Sequence, residues 1–275
     1  MGELTVDQGR AGGAGVDPAL ADRVIEALLL AGLPVAYGGH GPGVRLVPGG
    51  DDDGDGGAMA LRWVCSARLE DAAAAGSDGP WHRARRLVVD SVETALAEFL
   101  PALGVPAERL PDLGVTRVGP LPAAEPLPVP GPLSAAEPLP HPEPLSAAEP
   151  PVLARAAAGS LPGPAGVDPE LTATVRRIAA LAGLPVADRP GSAGVVLGPH
   201  AADDEGDGVV PGTADLDWRP SRQLPGGDEP DGARVAVTGA MRHALGAALN
   251  AGGLPTAWHR PRHRPAHLHA VPPPR

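Results

Sequence analysis

The chain has 275 residues, among them 38 Gly and 36 Pro, and a formal net charge of −11. Only 2% of the residues are aromatic, so a core must be built from Leu, Val and Ala, and one large core is not expected. The negative charge argues against binding to nucleic acid or to an anionic membrane surface, since both need a cationic footprint.

The basic residues are all Arg, which is typical of a high-GC bacterial coding sequence and is weak evidence for anion recognition. No stretch approaches the ~18 consecutive apolar residues of a membrane span, and the N-terminus lacks a basic and then apolar signal region. Cys65 is the single cysteine and cannot form an intramolecular disulfide. We therefore expect a cytoplasmic protein.

An internal repeat organises the sequence. Residues 15–36, GVDPALADRVIEALLLAGLPVA, reappear at 166–187 as GVDPELTATVRRIAALAGLPVA, with 13 of 22 positions identical. Shorter matches follow: GVRLVP with GVVLGP, DDDGDG with DDEGDG, and LRW with LDW. Self-similarity of this kind predicts two copies of one structural unit.

Each copy begins with a well-marked helix. Asp followed by Pro is typical of a helix start, and Gly followed two residues later by Pro is typical of its end. The apolar residues of both segments recur at helical spacing and predict one buried face. The members of this face are Leu20, Val24, Ala27, Leu28 and Ala31 in the first copy, and Leu171, Val175, Ile178, Ala179 and Ala182 in the second.

Two short alternating runs follow each helix and predict a hairpin with an acidic tip. The apolar positions of these runs are Val44 and Leu46, then Met59, Leu61, Trp63 and Cys65 in the first copy, and Val195 and Leu197, then Leu216 and Trp218 in the second. A second helical pattern predicts a unit of the order α-β-β-α. Its apolar positions are Val88, Val92, Ala95, Leu96, Phe99 and Leu103, matched by Val237, Met241, Ala244, Leu245 and Ala248.

The predicted fold class is α+β, a duplicated small α-β-β-α module joined by a disordered Pro-rich linker. Because a lone hairpin is marginal, we expect either a third strand in each module, at residues 115–118 and around Leu268, or pairing of the two hairpins into one sheet. The modules span residues 15–118 and 166–254. Three tandem units of twelve residues, which begin at residues 120, 132 and 144, lie within the linker at 119–165, where dense Pro favours an extended spacer. Disorder is expected at 1–14 and in the basic tail 255–275.

Two clusters are weak candidates for metal binding. The acidic tips match the first half of a calcium loop, but Arg62 and Ala214 stand where a bidentate Glu is needed, so a solvated tip is favoured. The His-rich tail lacks Cys or carboxylate partners and has Pro between its imidazoles. The candidate ligands are Asp51, Asp53, Asp55, Asp203, Glu205, Asp207, His263 and His267.

Few residues suggest catalysis. Cys65 with His40 or His82 could form a nucleophile and base, but Cys65 lies on the apolar side of its strand and is interpreted as a small core residue. No acid and base accompany the matched serines in both copies, so a serine triad is not supported. Trp63 and Trp218 are interpreted as hydrophobic anchors between sheet and helices, with ligand stacking as the alternative.

The leading functional hypothesis is a non-enzymatic adaptor that uses two tandem modules to bind a protein partner, because a linker raises the effective concentration of a second contact. Intramolecular or intermolecular pairing of the modules is a further option, and no cofactor is predicted. One alternative is an enzyme or small-molecule-binding protein with a site between the modules, formed by Ser66, Arg85, Ser221 and Arg234. The other is a weak metal-binding protein using the acidic loops or the tail.

Overall fold

A computed structural model gives a mixed α+β fold with five α-helices and two antiparallel four-stranded sheets among the residues that it describes. The described residues are 17–36, 41–48, 59–76, 78–119, 166–199, 213–224, 232–259 and 267–270. We call those up to residue 119 the first half and those from residue 166 the second half. The acidic tips and nearly all of the two segments 1–14 and 119–165 lie outside the described residues, so the expected disorder there stays a prediction.

The first half contains three helices and four strands. Its elements are α1 (Pro18–Ala31), β1 (Gly43–Pro48), β2 (Met59–Val64), α2 (Ala67–Ala74), α3 (Pro80–Phe99), β3 (Ala107–Leu110) and β4 (Val115–Val118), with short 3-10 turns at Leu100–Leu103 and Pro111–Leu113.

The second half has the same order of elements, except that no helix corresponding to α2 is found among its described residues. Its elements are α4 (Pro169–Ala182), β5 (Gly194–Pro199), β6 (Ala214–Arg219), α5 (Gly232–Ala251), β7 (Thr256–His259) and β8 (His267–Ala270). No helix in the described ranges of either half is both long enough and apolar enough to cross a membrane.

Each half forms its own sheet. The strand orders are β1-β2-β4-β3 and β5-β6-β8-β7, and all of these neighbours are antiparallel. The third strand expected at residues 115–118 and around Leu268 is therefore confirmed, and the alternative of one sheet shared by both hairpins is wrong. The central position of β4 and β8 completes the hydrogen bonding of one side of β2 and β6, which the hairpins alone would leave open.

Two predictions about short segments were incomplete. Strands β7 and β8 lie within residues 255–275, where disorder was expected, because Leu268 pairs opposite Leu216 and is fully buried. The many Pro, His and Arg residues of this segment obscured the weak alternation of polar and apolar residues in these two strands. Helix α2 was also missed, although Ser66 caps its start and Leu69 and Ala73 form a buried pair at helical spacing.

The helix ends follow the sequence signals. The Asp17 carboxylate accepts a hydrogen bond from the Ala19 N–H at 3.0 Å, and Asp168 accepts one from the Glu170 N–H at 2.7 Å. Gly32 and Gly183 end the helices with φ values of 83° and 84°, a left-handed conformation that Gly adopts without steric cost. All ten positions predicted for the buried faces of the first and fourth helices are buried.

The buried side chains of both halves form one continuous cluster. The expectation that the chain has no single large core was therefore wrong, because Leu, Val and Ala of the two halves pack together. The two longest helices, α3 and α5, pack against each other, so each helix contributes to a shared core as well as to its own sheet. Most of the cluster is Leu, Val and Ala, as the composition requires. Joining two small cores raises the fraction of surface that each half buries, which a short chain poor in aromatic residues needs for stability.

The tight approach of the halves at Gly32 predicts a graded effect of Gly→Ala substitutions. A Cβ at Gly32 would lie 2.6 Å from the Ala193 Cβ of the second half, whereas one at Gly104, which has φ of 73°, would meet nothing within 4 Å. Gly104→Ala should cost about 1–2 kcal/mol through backbone strain alone. Gly32→Ala should cost about 1–3 kcal/mol more because of overpacking.

The free energy of unfolding in urea, measured for both variants and for the unsubstituted chain, checks this difference. Equal destabilisation by the two substitutions would contradict the close contact at Gly32.

Candidate functional site

The two halves exchange tryptophan hydrogen bonds. The Trp63 indole N–H donates to the Ala182 carbonyl at the end of α4, and the Trp218 indole N–H donates to the Ala31 carbonyl at the end of α1, both at 2.8 Å. The last carbonyls of a helix have no partner within it. Each Trp therefore caps the first helix of the opposite half while its ring is buried in the shared core.

The interpretation of Trp63 and Trp218 as anchors between sheet and helices is confirmed, because both rings are buried. The structure adds that each one joins the sheet of one half to the helix of the other. The two residues stand out in the sequence because they are matched in the repeat, and no signal in the sequence indicates that the hydrogen bonds cross between halves.

The matched serines continue this contact. The Ser66 N–H donates to the Leu181 carbonyl at 3.1 Å, and the Ser221 N–H donates to the Leu30 carbonyl at 2.9 Å. The Ser66 hydroxyl caps α2, and the Ser221 hydroxyl accepts a hydrogen bond from the Gln223 N–H at 3.2 Å. Both residues thus hold turns that lie against the end of a helix from the other half.

The matched arginines stabilise the same turns from within their own halves. Arg85 forms an ion pair with Glu70 of α2, and Glu70 also accepts a hydrogen bond from the Cys65 N–H at 3.0 Å. Arg234 donates to the Leu224 carbonyl at 2.8 Å. The four residues suggested for a site between the modules therefore all take part in contacts that position the turns after β2 and β6.

The interpretation of Cys65 as a core residue is confirmed, because its side chain is fully buried. Burial, reinforced by the charge of Glu70, raises the pKa of the thiol to about 12. A thiol with such a pKa is almost entirely protonated at neutral pH and is a poor nucleophile. His40 lies outside the described residues, and His82 is half-buried near the start of α3.

The candidate metal ligands are not tested by the structure. Seven of the eight lie outside the described residues, and of His267 only the position in β8 is described. Elsewhere, within the described ranges, no group of three or more His, Cys, Asp and Glu side chains is arranged to hold a metal ion.

Glu93 is a buried carboxylate that the sequence analysis did not single out. It accepts a hydrogen bond from the Trp63 backbone N–H at 3.1 Å, and its other oxygen lies 3.0 Å from Nη1 of Arg109. Burial raises the pKa of this carboxyl to about 7, although the Trp63 N–H and the Arg109 charge oppose the shift. The sequence signal that could have identified Glu93 is a single Glu at an otherwise apolar position of the helical pattern.

The second half places charges of the opposite sign at the equivalent positions. In the repeat alignment, Arg62 corresponds to Asp217 and Glu93 corresponds to Arg242. Arg242 lies 2.7 Å from the Asp217 carboxylate, which also accepts a hydrogen bond from the Trp218 N–H at 2.6 Å. In both halves a carboxylate therefore binds the backbone N–H of the anchoring Trp, but it comes from the helix in one half and from the strand in the other.

A second difference between the halves lies where the last helix meets the edge strand. In the first half, Arg109 of β3 forms ion pairs with Asp90 and Glu93 of α3, and only 15% of its side chain is exposed. The equivalent residue of β7 is Trp258, which is 42% exposed and lies against His243 of α5, with 4.6 Å between the ring centroids.

Val235 and Gly239 precede His243 at intervals of four residues on α5 and share its face. Val235 is 61% exposed, and a Cβ at Gly239 would meet nothing within 4 Å. We call Val235, Gly239, His243 and Trp258 the Trp258 patch. It is an open apolar surface beside the edge strand β7. At the equivalent position of the first half, ion pairs cover the surface.

Comparison with known proteins gives no relative for this chain. No protein-family model, no curated protein and no solved structure matches it.

The raised pKa of Glu93 predicts that this group lowers stability as pH rises. The folded state retains the Glu93 proton up to about pH 7, whereas the unfolded state loses it near pH 4.5. The folded state thus binds more protons between these values, and the free energy of unfolding should fall across them by up to about 3 kcal/mol. Glu93→Gln should remove this fall, because the amide does not titrate.

Denaturation in urea over this pH range checks the prediction, with Glu98→Gln, an exposed change on the same helix, as the control. Parallel stability curves for the unsubstituted chain and Glu93→Gln would contradict it.

Proposed function

We propose that the chain is an internally duplicated protein whose two α+β units complete each other. The repeated sequence, the equal strand orders and the reciprocal Trp63 and Trp218 hydrogen bonds support this proposal. A reversal of charge between the halves supports it further. Arg62 and Glu93 of the first half correspond to Asp217 and Arg242 of the second half. Two positions that exchange the sign of their charges together are expected where two copies have diverged under one packing constraint.

We further propose that this protein is a non-enzymatic interaction protein. The polar residues that were the best candidates for an enzyme between the units are engaged in turn and helix-end contacts. Close packing at Gly32 and Gly183 also fills the contact between the halves at these points. These observations favour a binding role over catalysis.

One observation carries this proposal: the difference at the Trp258 patch. Arg109 is held by Asp90 and Glu93, whereas the equivalent Trp258 is exposed and lies against His243. Val235 and Trp258 leave apolar surface exposed beside an edge strand, and grouped exposed apolar residues are typical of interaction sites. Trp is also enriched among the residues that dominate binding energy. The Trp258 patch is therefore proposed as the docking site for an extended polypeptide.

The duplication predicts that the halves remain together after the segment between them is cut. We would insert a protease site between Gly131 and Pro132, cleave the folded protein and measure its size by gel filtration. The fragments should co-elute at the size of the uncut protein because of the shared core and the two exchanged hydrogen bonds.

Trp218→Phe should weaken this association, since it leaves the Ala31 carbonyl buried without its donor. Trp81→Phe, a half-buried change at the start of α3, is the matched control. Separate elution of the two fragments without substitution would disprove the proposal that the units complete each other.

The docking proposal predicts that binding depends on Trp258. A displayed library of unstructured peptides would be selected on a variant that carries a Gly/Ser segment of equal length in place of residues 120–151. Selected peptides should bind at least ~10-fold more weakly to Trp258→Ala. Leu87→Ala, which removes an apolar side chain that is 49% exposed on α3, should leave their affinity unchanged.

Equal affinities for the Trp258→Ala variant and its parent, or a failure to select any binder, would contradict a docking role for the patch.

A further inference from the structure

We propose that the Trp258 patch binds the Pro-rich repeats of the same chain, residues 120–151, so that the linker covers the docking surface in an autoinhibitory contact. This inference rests on the proposed function and names the ligand class: a proline-rich segment in an extended polyproline II conformation.

The chemistry of the Trp258 patch suits a proline-rich ligand. Trp258 and His243 present two rings inclined at 35° with centroids 4.6 Å apart, beside the open backbone at Gly239. Aromatic rings flanking a shallow surface are the recurring receptor for polyproline II segments, because the pyrrolidine rings pack on them. The indole N–H of Trp258 and the imidazole of His243 also bring hydrogen-bond donors to the patch.

The chemistry of the Pro-rich repeats suits the Trp258 patch. Polyproline II chains have no internal hydrogen bonds, so their carbonyls are available as acceptors, and little conformational entropy is lost when they dock. The segment has three units, which begin PLPAAEP, PLSAAEP and PLSAAEP at residues 120, 132 and 144. Each unit offers Pro and Leu side chains to an apolar surface, and the repetition gives three equivalent ways to dock.

The linker and the C-terminal segment that contains Trp258 have opposite charges. Residues 119–165 contain four Glu and one Arg, a net charge of −3, whereas residues 254–275, which include Trp258, contain four Arg and no acidic residue. Opposite charges on these two segments favour their encounter.

The linker is long enough to reach the patch. Residues 120–165 form a connection of 46 residues that starts after β4 and ends before α4. At about 3.1 Å per residue, an extended Pro-rich chain of this length can span on the order of 140 Å, more than the size of a small domain. Tethering also raises the local concentration of the segment at the patch above that of a free peptide.

Acrylamide quenching of tryptophan fluorescence tests this contact in the full chain. In a Trp81→Phe background, Trp258 is the remaining tryptophan that is not fully buried, since Trp63 and Trp218 are at most 2% exposed. Replacing residues 120–151 by Gly/Ser of equal length should raise the quenching constant. Adding the peptide PLSAAEPLPHPE at millimolar concentration should lower it again, and the same peptide with Ala for each Pro should not.

Trp258→Phe in the same background is the control and should remove the response to the linker replacement. Equal quenching with and without the native linker would overturn the inference. A change in quenching with protein concentration would also overturn it, because the linker would then bind a second copy. If library peptides bind through Trp258 while the Pro-rich peptide does not, the docking function stands and only the autoinhibitory contact fails.

Discussion

The exchange of indole hydrogen bonds between the halves is the constraint on which the structure depends. A buried helix end must find partners for its last carbonyls, and here the partner of each first helix is a Trp from the opposite sheet. This arrangement buries the two largest side chains of the core and caps two helices at once. It also explains why Gly must end both helices, since a Cβ at Gly32 or Gly183 would enter the other half.

A chain with so few aromatic residues gains from this arrangement because two small cores become one. The long helices α3 and α5 form the middle of the joint core, and the sheets lie against them. The Pro-rich segment therefore connects two parts that are already in contact rather than two independent units.

The proposed docking function rests on the differences between the halves. Where both halves have the same residue type, as at Trp63 and Trp218 or Ser66 and Ser221, the structure uses it for packing. Where they differ, the chain either compensates, as with the reversed charges of Glu93 and Arg242, or leaves a surface open, as at Trp258. An uncompensated change at an exposed position is the better indicator of binding.

The sequence by itself determined the local structure: the capped helices, their buried faces, the hairpins and the candidate third strands. These follow from periodicity and from Asp, Pro and Gly at the helix ends, which act over a few residues. Strand β7, helix α2 and the buried Glu93 escaped because their signals are short or belong to a single residue. Only the tertiary structure decided that Trp63 and Trp218 bind the opposite halves and that Arg109 and Trp258 occupy equivalent positions. Such contacts join residues more than a hundred positions apart, and their partners are backbone carbonyls that every residue possesses.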